Sequence, residues 1–105
     1  MPTTTKIQVR ATDNELYVLA LNSAGIGSYE ICHIMSGFNN PVDYVVIPQS
    51  ILPKGSYNLV LVGINWGGPA AFSVTLTTGG IATTHAAPAG STVGVFWHDL
   101  IPIQV

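Results

Sequence analysis

The chain has 105 residues, of which 48% are apolar and only 8% charged; three cations (Lys6, Arg10, Lys54) face five acids (Asp13, Glu15, Glu30, Asp43, Asp99), for a formal net charge of −2. Three scattered cations cannot neutralise the several phosphates that nucleic-acid binding needs, nor hold an anionic membrane surface. No apolar run approaches the ~18 residues of a spanning helix, so nucleic acid and membrane insertion are set aside as partners.

The length suits one domain with a hydrophobic core, expected here to be a single β-sandwich over residues 1–105. Ordinary domains carry about 25% charged residues. This surface must therefore be built from Thr, Ser, Asn, Gln, Gly and backbone. The N-terminal MPTTTKIQVR has no apolar core and does not read as a signal peptide. That predicts a soluble chain made in the cytoplasm, with release by a non-classical route left open. Cys32 is the one cysteine, so no internal disulfide is expected.

The periodicity along the chain is two rather than 3.6. In chain order, strands are expected over Lys6–Arg10, with Ile7 and Val9 inward, then Glu15–Leu21, Tyr29–Met35, Tyr44–Ile47, Tyr57–Asn65 and Ala71–Thr77. Gly80–Thr84, Thr92–His98 and Ile101–Val105 follow. The sixth is the cleanest, since Phe72, Val74 and Leu76 alternate with Ser73, Thr75 and Thr77. Turn chemistry falls between them, as at Asp13-Asn14, Asn39-Asn40-Pro41, Gly67-Gly68-Pro69 and Thr78-Gly79-Gly80. No window shows a helical stripe. Short strands with Gly/Pro turns predict an all-β fold, an antiparallel β-sandwich of about eight strands in a jelly-roll or Greek-key arrangement. A small closed barrel is the runner-up.

Three stretches break the alternation: Leu16–Leu21, Leu59–Val62 and Val93–Trp97 are apolar on both faces. In a sandwich only one face of each sheet meets the core. The other face must meet loops or another subunit, because large exposed apolar patches are rare on monomers. Few charges keep copies apart, so a homo-oligomer is expected.

Catalytic and metal chemistry find little support. Cys32 and His33 are neighbours on a strand and point to opposite faces. Cys32 reads as a small buried apolar residue. Trp97-His98-Asp99 reads as a strand end whose Asp99 caps a turn. His33, His85 and His98 lack the local spacing of zinc ligands. Asp13-Asn14-Glu15 and Asn39-Asn40-Pro41-Val42-Asp43 are the segments able to offer oxygen to calcium, but each is also an ordinary turn. No metal or other cofactor is expected, and no enzyme.

The segment INWGGPAAFSVTL, Ile64 to Leu76, reads as strand, tight turn, strand, with Trp66 on the turn shoulder. Gly67 and Gly68 have no side chains to cover the indole. An aromatic face beside amides and carboxylates suits a sugar: the ring stacks on the C–H face of a pyranose and the polar groups take its hydroxyls. Trp66, Asn65, Asn39, Asn40 and Asp43 are the ligand-binding residues expected on this reading. The competing reading folds Trp66 back as a cap on the core. Trp97, inside a strand beside Phe96, reads as core or interface.

No specific family asserts itself. The segment LPKGSYNLVLVGINWGGPAAFSVTL, with its Pro53-Lys54-Gly55-Ser56-Tyr57 strand opening, looks like the closing half of many small bacterial β-sandwich binding modules. The overall profile, β-rich, poor in Lys and disulfide-free, resembles small soluble microbial lectins. It lacks the acidic run of their calcium-dependent members. The resemblance implies a lectin-like carbohydrate-binding protein, multivalent through homo-oligomerisation, with a glycan or glycoconjugate as partner. The other reading is a structural or self-assembling subunit of a shell, fibre or inclusion, without a small-molecule ligand.

Overall fold

The computed structural model describes residues 2–22, 28–36, 42–88 and 90–105. Among them are eight strands: β1 (Thr4–Ala11), β2 (Asn14–Asn22), β3 (Ser28–Ser36), β4 (Tyr44–Val46), β5 (Ser56–Asn65), β6 (Ser73–Thr78), β7 (Ile81–Ala86) and β8 (Gly94–Gln104). One short helix, α1 (Pro48–Ile51), lies between β4 and β5.

The strands form two four-stranded antiparallel sheets, in the orders β4-β1-β6-β7 and β3-β2-β5-β8. This is the expected sandwich, and the separate sheets rule out the closed barrel. Alternation builds the core between them. Ile7 and Val9 of β1, Leu16, Val18 and Ala20 of β2, Leu59 and Leu61 of β5, and Val74 and Leu76 of β6 are buried there. Each Val, Leu or Ile among them contributes about 1.5–3 kcal/mol by leaving water. Tyr57 is also buried and donates its hydroxyl to the Pro53 carbonyl at 2.7 Å. The Pro-x-Gly-x-Tyr opening thus secures its own strand.

The hairpins β2–β3 and β6–β7 stay within a sheet, and the other connections cross between sheets. In the β6–β7 turn Gly79 and Gly80 both take positive φ, +58° and +80°, as a two-residue hairpin turn requires. The segment after β5 departs from expectation. It does not turn back beside its own strand; residues 66–72 carry the chain from one sheet to the other, with Phe72 buried at the end of the core.

Two bulges interrupt the alternation of the second sheet, and one of them accounts for the apolar run Val93–Trp97. One lies between Gly63 and Ile64 of β5, where Gly63 pairs with Trp97 and Ile64 with Val95. The unpaired Phe96 and its neighbour Trp97 then both meet Phe72, at ring-centroid distances of 6.1 Å each. The other leaves Ile31 unpaired between Cys32 and Glu30, and Ile31 and Cys32 both pack on the core. A bulge spends one residue to keep two neighbours on one side.

The expected strands Thr92–His98 and Ile101–Val105 prove to be one, β8, so Asp99 is a mid-strand residue and not a turn cap. Its Oδ1 accepts from the Leu100 amide at 2.9 Å, and its Oδ2 lies 3.4 Å from His85 Nδ1. Pro102 is tolerated because β8 is an edge strand. Helix α1 was unexpected. It starts on a buried Pro48, and Gln49 Nε2 donates to the Thr4 carbonyl at 2.9 Å. No helix among the described residues is long and apolar enough to cross a membrane.

The outer faces of the two sheets differ. On the first, Lys6, Gln8 and Arg10 stand beside Thr75 and Thr77, and Thr75 shares a 2.9 Å hydroxyl bond with Thr84. On the second, β2 turns out Leu19 and Leu21, β5 turns out Val60, Val62 and Ile64, and β8 turns out Leu100.

Candidate functional site

β2 and β8 begin where β5 ends, because both run antiparallel to it. Trp66 follows β5 at that end of the second sheet. Its side chain does not cap the core: the residue is 64% exposed. No other aromatic ring stacks on it among the described residues. A Cβ placed on Gly67 or Gly68 would meet nothing within 4 Å, so the loop surface that follows Trp66 is open.

Exposure does not leave the indole loose. Its backbone N–H donates to Asn14 Oδ1 at 2.6 Å, and its Nε1–H donates to Glu15 Oε1 at 2.9 Å. Glu15 is on the outer face because Leu16 and Val18, its neighbours in β2, hold the inner one. Tyr17, two residues on, shares that face and donates its hydroxyl to Glu15 Oε2 at 3.1 Å. His33, opposite Tyr17 on β3, also reaches Oε2 through Nε2. The Tyr17 and His33 rings stack at 4.0 Å with an 18° interplanar angle. One carboxylate therefore gathers three donors from three elements. The side chain of Glu15 is 9% exposed, lying beneath the rings it organises.

These bonds set the electrostatics. The Trp66 hydrogen bond, then that of His33, holds the Glu15 carboxyl below its ordinary range. Burial, then the bond to Glu15, pushes the Tyr17 phenol up. Glu30 adds a second acid 3.9 Å from His33 Nδ1. No Lys or Arg is near: Lys6 and Arg10 lie on β1 in the other sheet, and Lys54 precedes the far end of β5.

The other expected ligand residues fare differently. Asn65 is 0% exposed and its amide is fully engaged. Nδ2 donates to the carbonyls of Gly68 at 2.9 Å and Thr92 at 3.2 Å, and Oδ1 accepts from the Gly67 amide at 3.1 Å. It holds the Trp66 loop to the β7–β8 connection and has nothing left for a sugar hydroxyl. Asp43 belongs to the first sheet's side, where its Oδ1 accepts from Gln8 Nε2 at 2.6 Å. Gln8 faces outward there, across the full sandwich from Glu15, so Asp43 and Trp66 do not converge. Asn39 and Asn40 lie outside the described residues.

Sequence reasoning missed Glu15, Tyr17 and His33. The shared parity of Glu15 and Tyr17 was readable; their pairing with β3 and the approach of Trp66 were not. The three histidines sit apart. His33 is on β3 with Glu15, His85 on β7 beside Asp99, and His98 on the outer face of β8, two strands from Tyr17. Among the described residues no group of three His, Cys, Asp or Glu side chains could hold a metal ion. Cys32 is a free, buried thiol that burial, then the charge of Glu30, pushes up to about 11.

Comparison with protein families, with characterised proteins and with solved structures gave no match.

Proposed function

We propose that this protein is a non-enzymatic, lectin-like carbohydrate-binding protein, with Trp66 as the stacking platform. One observation carries the reading: an indole 64% exposed is nonetheless fixed at its N–H by Glu15. A ring already held in place loses little freedom when a flat apolar ligand face settles on it. Tyr17 and His33, set in place by the buried Glu15 carboxylate, form the polar rim beside it and take the part first assigned to Asn65, Asp43 and the Asn39–Asn40 pair. With Glu15 and Glu30 nearby and no cation, the rim suits neutral or amine-bearing sugars and repels uronates and sialylated chains. Binding at a single ring is weak, and copies joined into an oligomer would raise it through multivalency.

The test is a glycan array with labelled protein, run with calcium and with chelator, beside the Trp66→Ala variant. Selective binding to neutral or amine-bearing glycans is expected in both solutions. Trp66→Ala should lose it by ten-fold or more while keeping its circular dichroism spectrum. A blank array from folded wild type, or unchanged binding in the variant, overturns the assignment. The apolar outer face of the second sheet supports another reading, a self-assembling structural subunit. That one predicts large assemblies and no saturable sugar binding.

A further inference from the structure

We infer that the outer face of the second sheet is the docking surface for a second copy of this chain, face to face about a two-fold axis. The register arranges its outward residues in rows across β2, β5 and β8. Glu15, Ile64 and Val95 form the row nearest Trp66; then come Tyr17, Val62 and His98; then Leu19, Val60 and Leu100; then Leu21, Asn58 and Pro102. The middle of this grid is hydrocarbon. There Leu19, Val60 and Val62 are half-buried, and the two edge strands are more open, with Val95 64%, Leu100 58% and Met35 68% exposed. The strand sequences NELYVLALN, SYEICHIMS, SYNLVLVGIN and GVFWHDLIPIQ contain no Lys or Arg.

The size fits a subunit contact. Strands about 4.8 Å apart and rising ~3.3 Å per residue give this four-stranded face a flat footprint of roughly 500 Å². A corrugated side-chain layer exposes more than its footprint, which brings the face to the order of the ~800 Å² per partner that stable complexes bury. The charge pattern fits a like partner. With the two-fold running along the strands, β8 of one copy crosses β3 of the other. His98 then stands opposite His33 of the other copy, beside Glu30, whose carboxylate lies 3.9 Å from that imidazole and is 53% exposed at its side chain. Both contacts form at once, since a two-fold interface repeats each pair. The first sheet offers no equivalent, because Lys6, Arg10 and a threonine ladder occupy its outer face. The paired face includes Tyr17 and His33, the polar rim beside Trp66, so the two proposals share that row and are told apart by separate readouts.

Sedimentation equilibrium at micromolar concentration tests it, with three variants. The wild type should weigh two 11.0 kDa chains. Val60→Lys, at the centre of the face, and Leu100→Lys, beside it on β8, should weigh one. Thr75→Lys, the same change on the first sheet, should still weigh two. Should Val60→Lys fail to fold, Leu100→Lys still reads the interface, since that side chain is mostly in solvent in the single chain. A monomeric wild type assigns the face to some other partner and overturns the proposal. So does a particle that persists in Leu100→Lys. Trp66→Ala should leave the mass unchanged, so loss of sugar binding and loss of pairing are separable results.

Discussion

Glu15 governs the loop end because one carboxylate orients an indole, a phenol and an imidazole together. That has a pH signature. Its folded pKa lies below the ordinary 4.5, so its bonds stabilise the fold fully above that value and are lost as pH falls through the lower folded pKa. Asp13, beside Asn14, is pushed the other way by burial, and its contribution grows as pH falls. The two effects overlap in acid, which makes Glu15→Gln the informative comparison. The glutamine keeps the shape but cannot titrate, and its NH₂ turns a donor toward one of the donors that Glu15 satisfied. Tryptophan fluorescence followed from neutral pH into acid should show a step below pH 4.5 in the wild type. The variant should start from the loosened signal at neutral pH and lack that step. A step of equal size in both proteins would assign the acid response to Asp13. At this scale the sequence was only partly legible. The exposure of Trp66 was legible from its glycine neighbours. Asn65 and Asp43 were chosen as the right kind of residue near the right loop. Proximity along the chain did not show that one is buried and the other lies on the far sheet. Parity along a strand says which residues share a face, whereas the partners of that face come from strands distant in sequence.

At the scale of elements, β5 and β8 show what sits beneath the site. Gly63 occupies a buried position in the middle of the second sheet, where a Cβ would come within 2.9 Å of the Phe72 ring. Phe72 in turn stacks on Trp97 at a 20° interplanar angle. The glycine is there for close approach: it lets an aromatic from the crossover lie flat against the sheet. Gly63→Ala must displace that ring, and such overpacking costs about 1–3 kcal/mol. For a domain of this size that lowers the melting temperature by roughly 4–8 °C per kcal/mol, read by differential scanning calorimetry. An unchanged melting temperature would mean that Phe72 shifts freely. The strands were mostly legible because alternation is a local signal, and seven of the nine expected strands overlap observed ones singly, with the last two fused into β8. The bulges were not legible. Val95-Phe96-Trp97 reads as apolar on both faces, yet the bulge turns Phe96 and Trp97 inward together and leaves only Val95 outside. Helix α1 was hidden for a related reason: four residues are too few to show a period.

For the whole molecule, the asymmetry between its two outer faces links assembly to binding. Leu19, Val60 and Val62 remain outward after the bulges are accounted for, so the apolar runs Leu16–Leu21 and Leu59–Val62 do mark a surface. Trp66 stands at the rim of that surface, bonded to Glu15 in its first row. Pairing through this face would therefore set two stacking platforms in one particle, at a spacing fixed by the interface. A free monosaccharide reads the single platform: Trp66 lies beyond the first row of the face, whereas Tyr17 and His33 lie within the face and are uncovered when pairing is lost. A surface dense in glycans is different, since the second contact is made at the effective concentration the first provides, an advantage of ~10²–10⁴. Leu100→Lys should accordingly leave the monosaccharide Kd by calorimetry equal or tighter, while its retention on an immobilised glycan surface falls by a factor in that ~10²–10⁴ range. Raised salt separates the causes further. An apolar contact survives sodium chloride and tightens in sulfate, which strengthens burial, whereas pairing held mainly by His98 and Glu30 would weaken as salt screens them. Equal retention of wild type and Leu100→Lys would mean that the platforms act singly, whatever the mass of the particle.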